Sequence, residues 1–146
     1  MSPTIREIAK HTKVIDIGIT QVWGIVSAWG CESLWMPDCT SSALEGYGLG
    51  SIRVLTFSEF PGMIIRERLE AIDPGNYSLR FRVYRDDLKD MVNYGNLKLE
   101  AVGPTQTSVQ WMGETSLEDE EAFNAQRQRV EDMYLGFTDS LYNLLK

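Results

Sequence analysis

The hydrophobic pattern of this chain changes period three times, and each change marks a change of element. Arg6 to Ile17 is β-branched and mixed in polarity, which predicts a first strand. From Ile19 to Trp29 the apolar positions Ile19, Val22, Trp23, Val26 and Trp29 recur at spacings of three and four, one face of a helix. Cys31 to Met36 predicts a second short helix stopped by Pro37, because proline disfavours helical geometry in the residue before it. Period two then takes over in the runs Ser41–Glu45, Ser51–Phe57, Met63–Ile72, Tyr77–Tyr84, Asn93–Val102 and Thr107–Thr115. Turn formers at Gly46-Tyr47-Gly48, Pro61-Gly62, Asp73-Pro74-Gly75-Asn76 and Gly103-Pro104 separate the runs, and connections of hairpin length imply an antiparallel meander.

The helical period returns for a long helix from about Glu118 to Leu145, with Ser116 as the expected cap and Asp119 three residues on. Glu118, Asp119, Glu120 and Glu121 lie where the helix dipole favours negative charge, so this acidic run predicts a helix start and not a metal site. Val130, Met133, Tyr134, Phe137, Leu141 and Leu144 form a broad apolar face, and Gly136 beside it marks either close packing or room for a ligand. Strand, two short helices, six strands and a long helix are all buried by one α+β arrangement, a curved antiparallel sheet gripping the last helix.

Composition narrows the partners. A chain of 146 residues fits one domain, with a core large enough to contain a hollow. A formal charge of −7 argues against binding to nucleic-acid phosphates or anionic lipid. The opening Met-Ser-Pro-Thr has no charged region leading into an apolar run, and Ile17 to Cys31 is shorter than the roughly 18 residues that suggest a membrane span. The expectation is a cytoplasmic protein, monomeric or weakly dimeric, with Cys31 and Cys39 as free thiols. One histidine, His11, supports no zinc or iron cluster, and there is no phosphate loop, dinucleotide fingerprint, nucleophile elbow or Cys-x-x-Cys, so no metal and no cofactor is expected.

The candidate chemistry lies between Gly50 and Tyr94. On Met63 to Ile72, alternation sets Ile65, Glu67, Leu69 and Ala71 on one face and Arg66, Arg68 and Glu70 on the other, solvated face. Glu67 thus sits among apolar neighbours, where burial raises a carboxyl pKa and an arginine lowers it again, and Arg53 on the preceding strand can be that arginine. Tyr94 adds a phenol. A carboxylate, a guanidinium and a phenol in one apolar space suit proton transfer beside a carbonyl, as base, oxyanion stabiliser and acid. The same residues equally fit a structural Arg53–Glu67 pair with Tyr94 at the rim. Leu79, Phe81 and Val83, Leu97 and Leu99, then Val109 and Trp111, line one side of three strands, either as plain core or as a ligand wall.

Ile15-Asp16-Ile17 leading to Val22-Trp23-Gly24-Ile25-Val26, then Gly50-Ser51-Ile52-Arg53, Glu67-Arg68-Leu69-Glu70-x-x-Asp73 and Asn93-Tyr94, resemble the START-like superfamily over nearly the whole chain. That group includes the birch-pollen allergens, the polyketide cyclase/dehydrase family and the plant abscisic-acid receptors. The resemblance implies a helix-grip fold with an elongated hydrophobic cavity between sheet and C-terminal helix. Trp35 and Met36, Ile65 and Leu69, Phe81 and Val83, Leu97 and Trp111, and Met133, Phe137 and Leu141 would line it. Ser58-Glu59-Phe60-Pro61-Gly62 is similar to the receptors' mobile gate loop, so Phe60 and Pro61 join the ligand set. Two departures stand out. Met36 occupies the place of the receptors' carboxylate-binding lysine, and Lys89-Asp90-Met91 does not reproduce their His-Arg-Leu latch. Gly18 also replaces the usual proline before the first helix.

Without that lysine an acidic ligand would bury an unpaired charge, which is costly. The resemblance therefore implies a neutral polyketide-like or terpenoid carbonyl compound, handled by a cofactor-independent cyclase, dehydratase or isomerase with Glu67, Arg53 and Tyr94 as catalytic groups. The alternative is a non-catalytic binder or carrier with a gating loop. A solid-core interaction protein is the third reading.

Overall fold

A computed structural model describes residues 3–146. Strand β1 (Arg6–Ile15) leads to helix α1 (Ile19–Val26) and a single 3-10 turn (Glu32–Leu34). The strands β2 (Cys39–Glu45), β3 (Ile52–Phe57), β4 (Ile64–Asp73), β5 (Ser78–Arg85), β6 (Asn93–Gly103) and β7 (Gln106–Thr115) follow, and helix α2 (Glu120–Leu145) closes the chain. They make one seven-stranded antiparallel sheet in the order β1-β7-β6-β5-β4-β3-β2. The meander runs from β2 to β7, and β1 returns to pair with β7. This is the helix-grip architecture expected from the alternation of periods.

Local chemistry sets the boundaries. Helix α1 stops at Val26 rather than continuing to Trp29: Ala28 N–H bonds Ile25 O, three residues back, the Ser27 hydroxyl caps the Trp23 carbonyl, and Gly30 then takes φ +100. A Cβ on Gly30 would lie 3.1 Å from the Leu44 Cβ, so the turn favours glycine on two grounds. Helix α2 is capped by Asp119, whose carboxylate accepts from Ala122 N at 2.8 Å. The expected cap, Ser116, instead accepts from Val92 N at 2.8 Å and fixes the entry to β6. Gly136 marks no tight packing, since the nearest atom a Cβ would meet is Pro37 Cγ at 3.9 Å, an ordinary contact.

The core lies between the concave face of the sheet and α2, from which Tyr134, Phe137, Thr138 and Leu141 point inward. A bulge between Leu69 and Ala71 reverses the end of β4. Ala71 pairs with Arg80 and faces out, contrary to simple alternation along that strand. Both cysteines are free thiols, Cys31 exposed and Cys39 half-buried. Among the described residues no helix is long and apolar enough to cross a membrane.

Candidate functional site

The register of β3 on β4 sets Arg53 directly opposite Glu67, both facing inward. Arg53 donates to Glu67 Oε1 twice, from Nε at 2.7 Å and from Nη2 at 2.6 Å, and to Glu32 Oε2 from Nη1 at 2.9 Å. Glu32 rises from the 3-10 turn, and both its oxygens accept from Gly30 N at 3.1 Å. Arg53 and Glu32 are sealed, at 2% and 0% exposure, while the Glu67 side chain keeps 12%. The guanidinium lies 3.7 Å from the Trp29 ring and 4.8 Å from that of Phe81. Room for Phe81 comes from Gly95, where a Cβ would fall 2.2 Å from the ring.

Two carboxyls on one guanidinium leave one acidic group without a cation. The proton affinity of Glu67 reflects this: burial raises its pKa above the ordinary value, Arg53 opposes that rise, and the charge of Glu32 adds to it. Glu67 is the one carboxyl of the triad that keeps some exposure, and its surroundings favour the proton.

Alternation holds along β6, and it places Tyr94 on the wrong side for the expected trio. Gly95, Leu97 and Leu99 face the core, so Tyr94 and Asn96 face out; the Arg80 guanidinium stacks on the Tyr94 ring at 3.9 Å. Asn93 takes the inward place, in one cross-strand row with Val83, Glu67 and Arg53. The inward positions of Leu97 and Leu99 already carried this signal in the sequence. The phenol that the concave side does hold is Tyr134 of α2. Its hydroxyl lies where a Cβ on Gly113 would approach to 2.7 Å, and it makes no hydrogen bond among the described residues. Burial, followed by the charges of Glu67 and Glu114, pushes the Tyr134 pKa upward. Glu32, in the irregular segment after α1, had no periodic signal to reveal it, whereas Trp29 closes the apolar pattern of the first helix and stacks on Arg53 from beyond the helix end.

The assigned cavity wall is brought together, but as packed core. Trp35, Met36, Ile65, Leu69, Phe81, Leu97, Trp111, Phe137 and Leu141 belong to one buried cluster, with Val83 packed against it. Trp111 is the centre of an aromatic stack, 6.2 Å from Trp35, 5.8 Å from Tyr134 and 5.4 Å from Phe137. These rings fill the space expected to be an elongated cavity. Two depressions, of about 310 and 220 Å³, lie on the outer face. Phe60 is half-buried beneath Arg85 at 5.1 Å, Pro61 is exposed, and Met133 stands 44% exposed off the buried stripe of α2. None of these three joins the core cluster. Trp111 Nε1 donates to Thr138 Oγ1 at 3.1 Å, whereas the buried indole nitrogens of Trp29 and Trp35 have no acceptor among the described residues.

The fold has relatives of known structure. An uncharacterised protein from Bacillus thuringiensis aligns over 97% of this chain and 98% of its own, with TM-score 0.73 and 20% identity. Norcoclaurine synthase from Thalictrum flavum, in a mutant bound to a transition-state analogue, aligns over 99% and 96% with TM-score 0.74 and 16% identity. A protein from Thermobifida fusca reaches TM-score 0.80 over 92% and 89% at 16% identity. No protein-family model matches the sequence, and no curated protein matches it. At such identities the likeness is one of fold: this chain shares its helix-grip fold with norcoclaurine synthase.

Proposed function

We propose that the chain acts as one START-like domain that takes a neutral, hydrophobic carbonyl compound between sheet and α2 and transfers a proton on it at Glu67, without a cofactor. The observation that carries this reading is the buried Glu32–Arg53–Glu67 triad. A core gains nothing from an uncompensated carboxyl, and apolar residues of similar volume are often neutral or stabilising in its place. Two buried indole N–H groups without acceptors add to the same imbalance, each costing about 1–3 kcal/mol. A ligand carbonyl would supply the missing acceptor.

In this reading the Glu67 carboxylate takes a proton from the carbon beside the ligand carbonyl and returns it, as acid, to the product. Its raised proton affinity brings it towards the range a general base needs. Three nitrogens of Arg53 already bond carboxylates, so Arg53 orients Glu67 as a positioning residue. Tyr134, kept protonated, is the phenol of this site in place of Tyr94, and it donates to the oxygen on which charge develops. Entry requires the Trp35 and Phe137 rings to move aside. The polyketide-like or terpenoid class remains part of the proposal, and the norcoclaurine synthase relative, solved with dopamine and hydroxybenzaldehyde, shows that this fold can hold an aromatic aldehyde.

A second reading, a protein with a solid core that works through its surface, is favoured by the ring-filled interior. Native mass spectrometry of protein purified from its own source separates the two. A copurified hydrophobic molecule supports the pocket, and bare protein supports the solid core. Incubating that molecule with wild type and Glu67→Gln then distinguishes enzyme from carrier: loss of conversion with retained binding identifies Glu67 as the proton carrier, and full turnover overturns that role.

A further inference from the structure

The outer face of the sheet carries a concentration of positive charge that the chain's overall −7 conceals. Arg66 and Arg68 of β4 and Arg80 and Arg82 of β5 all point outward. Arg68 stands directly opposite Arg82 in the register, a like-charge pair that destabilises a sheet. The acids nearby only partly answer it. Glu114 is held by Arg80 and Asn96, Glu70 reaches Arg68 at 3.6 Å, and Asp87 is held by Arg85 at 2.8 Å. Arg66 and Arg82 have no carboxylate partner among the described residues, and Arg82 Nε is shut off from water with no acceptor.

These two arginines line one groove of about 220 Å³, bounded by Tyr84, Arg85, Lys89 and Met91 where β5 turns towards β6. Arg66 pairs across the strands with Tyr84, and the Arg82 guanidinium lies 4.9 Å from the Tyr84 ring, so charge and aromatic surface alternate along the floor. Asp86 lines the groove beside Arg66, Arg82, Arg85 and Lys89, and of these cations Arg85 is already held by Asp87. We propose that this groove is a binding site for a small anion, a phosphate or carboxylate group carried on an apolar or aromatic body. Arginine suits that head group because its planar fork offers paired donors to two oxygens. The Arg82 guanidinium, which no carboxylate holds among the described residues, would meet the head group there, and Tyr84 and Met91 would cover the apolar body. The site lies on the face opposite Glu67 and stands whether or not the interior takes a ligand.

The test is a titration of ¹⁵N-labelled protein with phenyl phosphate at low salt, with benzoate and phenol in parallel. Saturable shifts at Arg66, Arg82, Tyr84 and Lys89, with a dissociation constant in the millimolar range or tighter, are expected for phenyl phosphate, benzoate or both. Phenol should shift none of them, and the stronger of the two anions identifies the head group. Arg66→Gln and Arg82→Gln should each weaken binding roughly tenfold, and Arg82→Lys should recover only part. Arg82→Gln should keep or raise the thermal midpoint, since it removes the repulsion from Arg68. No saturation by roughly 10 mM, wild-type affinity in both Gln variants, or shifts of the same size at Lys10, Lys13 and Lys98 would overturn the proposal.

Discussion

Arg53 grips a single oxygen of Glu67 with two of its nitrogens, at 2.7 and 2.6 Å, and the second oxygen has no hydrogen-bond partner among the described residues. The pair is held by its neighbours. Glu32 takes the remaining end of the guanidinium, and the Trp29 and Phe81 rings cover its faces. Removing the cation leaves two carboxylates in the core. Arg53→Met should therefore cost about 3–5 kcal/mol in urea unfolding. Combining it with Glu32→Gln and Glu67→Gln should recover much of that loss, because the uncompensated charge goes with them.

Stability should depend on pH through Glu67. Its pKa is raised on folding, so the folded state binds the proton more tightly than the unfolded chain does. The stabilisation is complete below the ordinary value of 4.5 and is lost as pH rises through the folded value. Wild type should lose stability relative to Glu67→Gln over that window. Parallel urea curves at several pH values measure the difference, and a difference that does not change with pH would contradict the assignment.

Gly95 and Phe81 form a tight contact that an alanine cannot share, since its Cβ would fall 2.2 Å from the ring. Gly95→Ala should destabilise by about 1–3 kcal/mol, the usual range for overpacking. Phe81→Leu in the same molecule should relieve much of the clash, so a double-mutant cycle should give a clear favourable coupling. Additive effects would mean that Phe81 does not occupy the space above Gly95.

Much of the fold was legible in the sequence because period and turn chemistry agree. Leu79, Phe81, Leu97, Val109 and Trp111 alternate strictly and all face the core. Arg53 and Glu67 could be paired from the same counting. What escaped has identifiable physical causes. The bulge after Leu69 adds a residue that no pattern announces, and Glu32 lies in an irregular segment that follows the left-handed Gly30 and has no period. Asp119 and Ser116 are both good caps, and only the place of Ser116 beside Val92 decides between them. Tyr94 is different, since the alternation read from Leu97 already assigned it to the outer face.

That face assignment has a functional consequence. Tyr94→Phe should leave interior binding and turnover unchanged, because the phenol stacks under Arg80 on the outer face. Tyr134→Phe should reduce turnover by roughly 10²-fold or more if it stabilises the developing oxyanion. Asn93→Ala, two strands from Glu67 in the same row, should weaken binding of the molecule recovered from the source. Equal effects of the two tyrosine substitutions on turnover would contradict the geometry proposed for the site.

The most direct test of an interior site uses the chain's four tryptophans. Each indole N–H gives one resonance in a ¹⁵N spectrum, and acetylnaphthalene is a neutral aromatic ketone of the proposed class. Its addition should shift the indole signals of Trp29 and Trp35, the two without acceptors, more than that of Trp23. If none of the four signals moves while the ketone remains in solution, the interior is a closed core and the proposed ligand site does not exist.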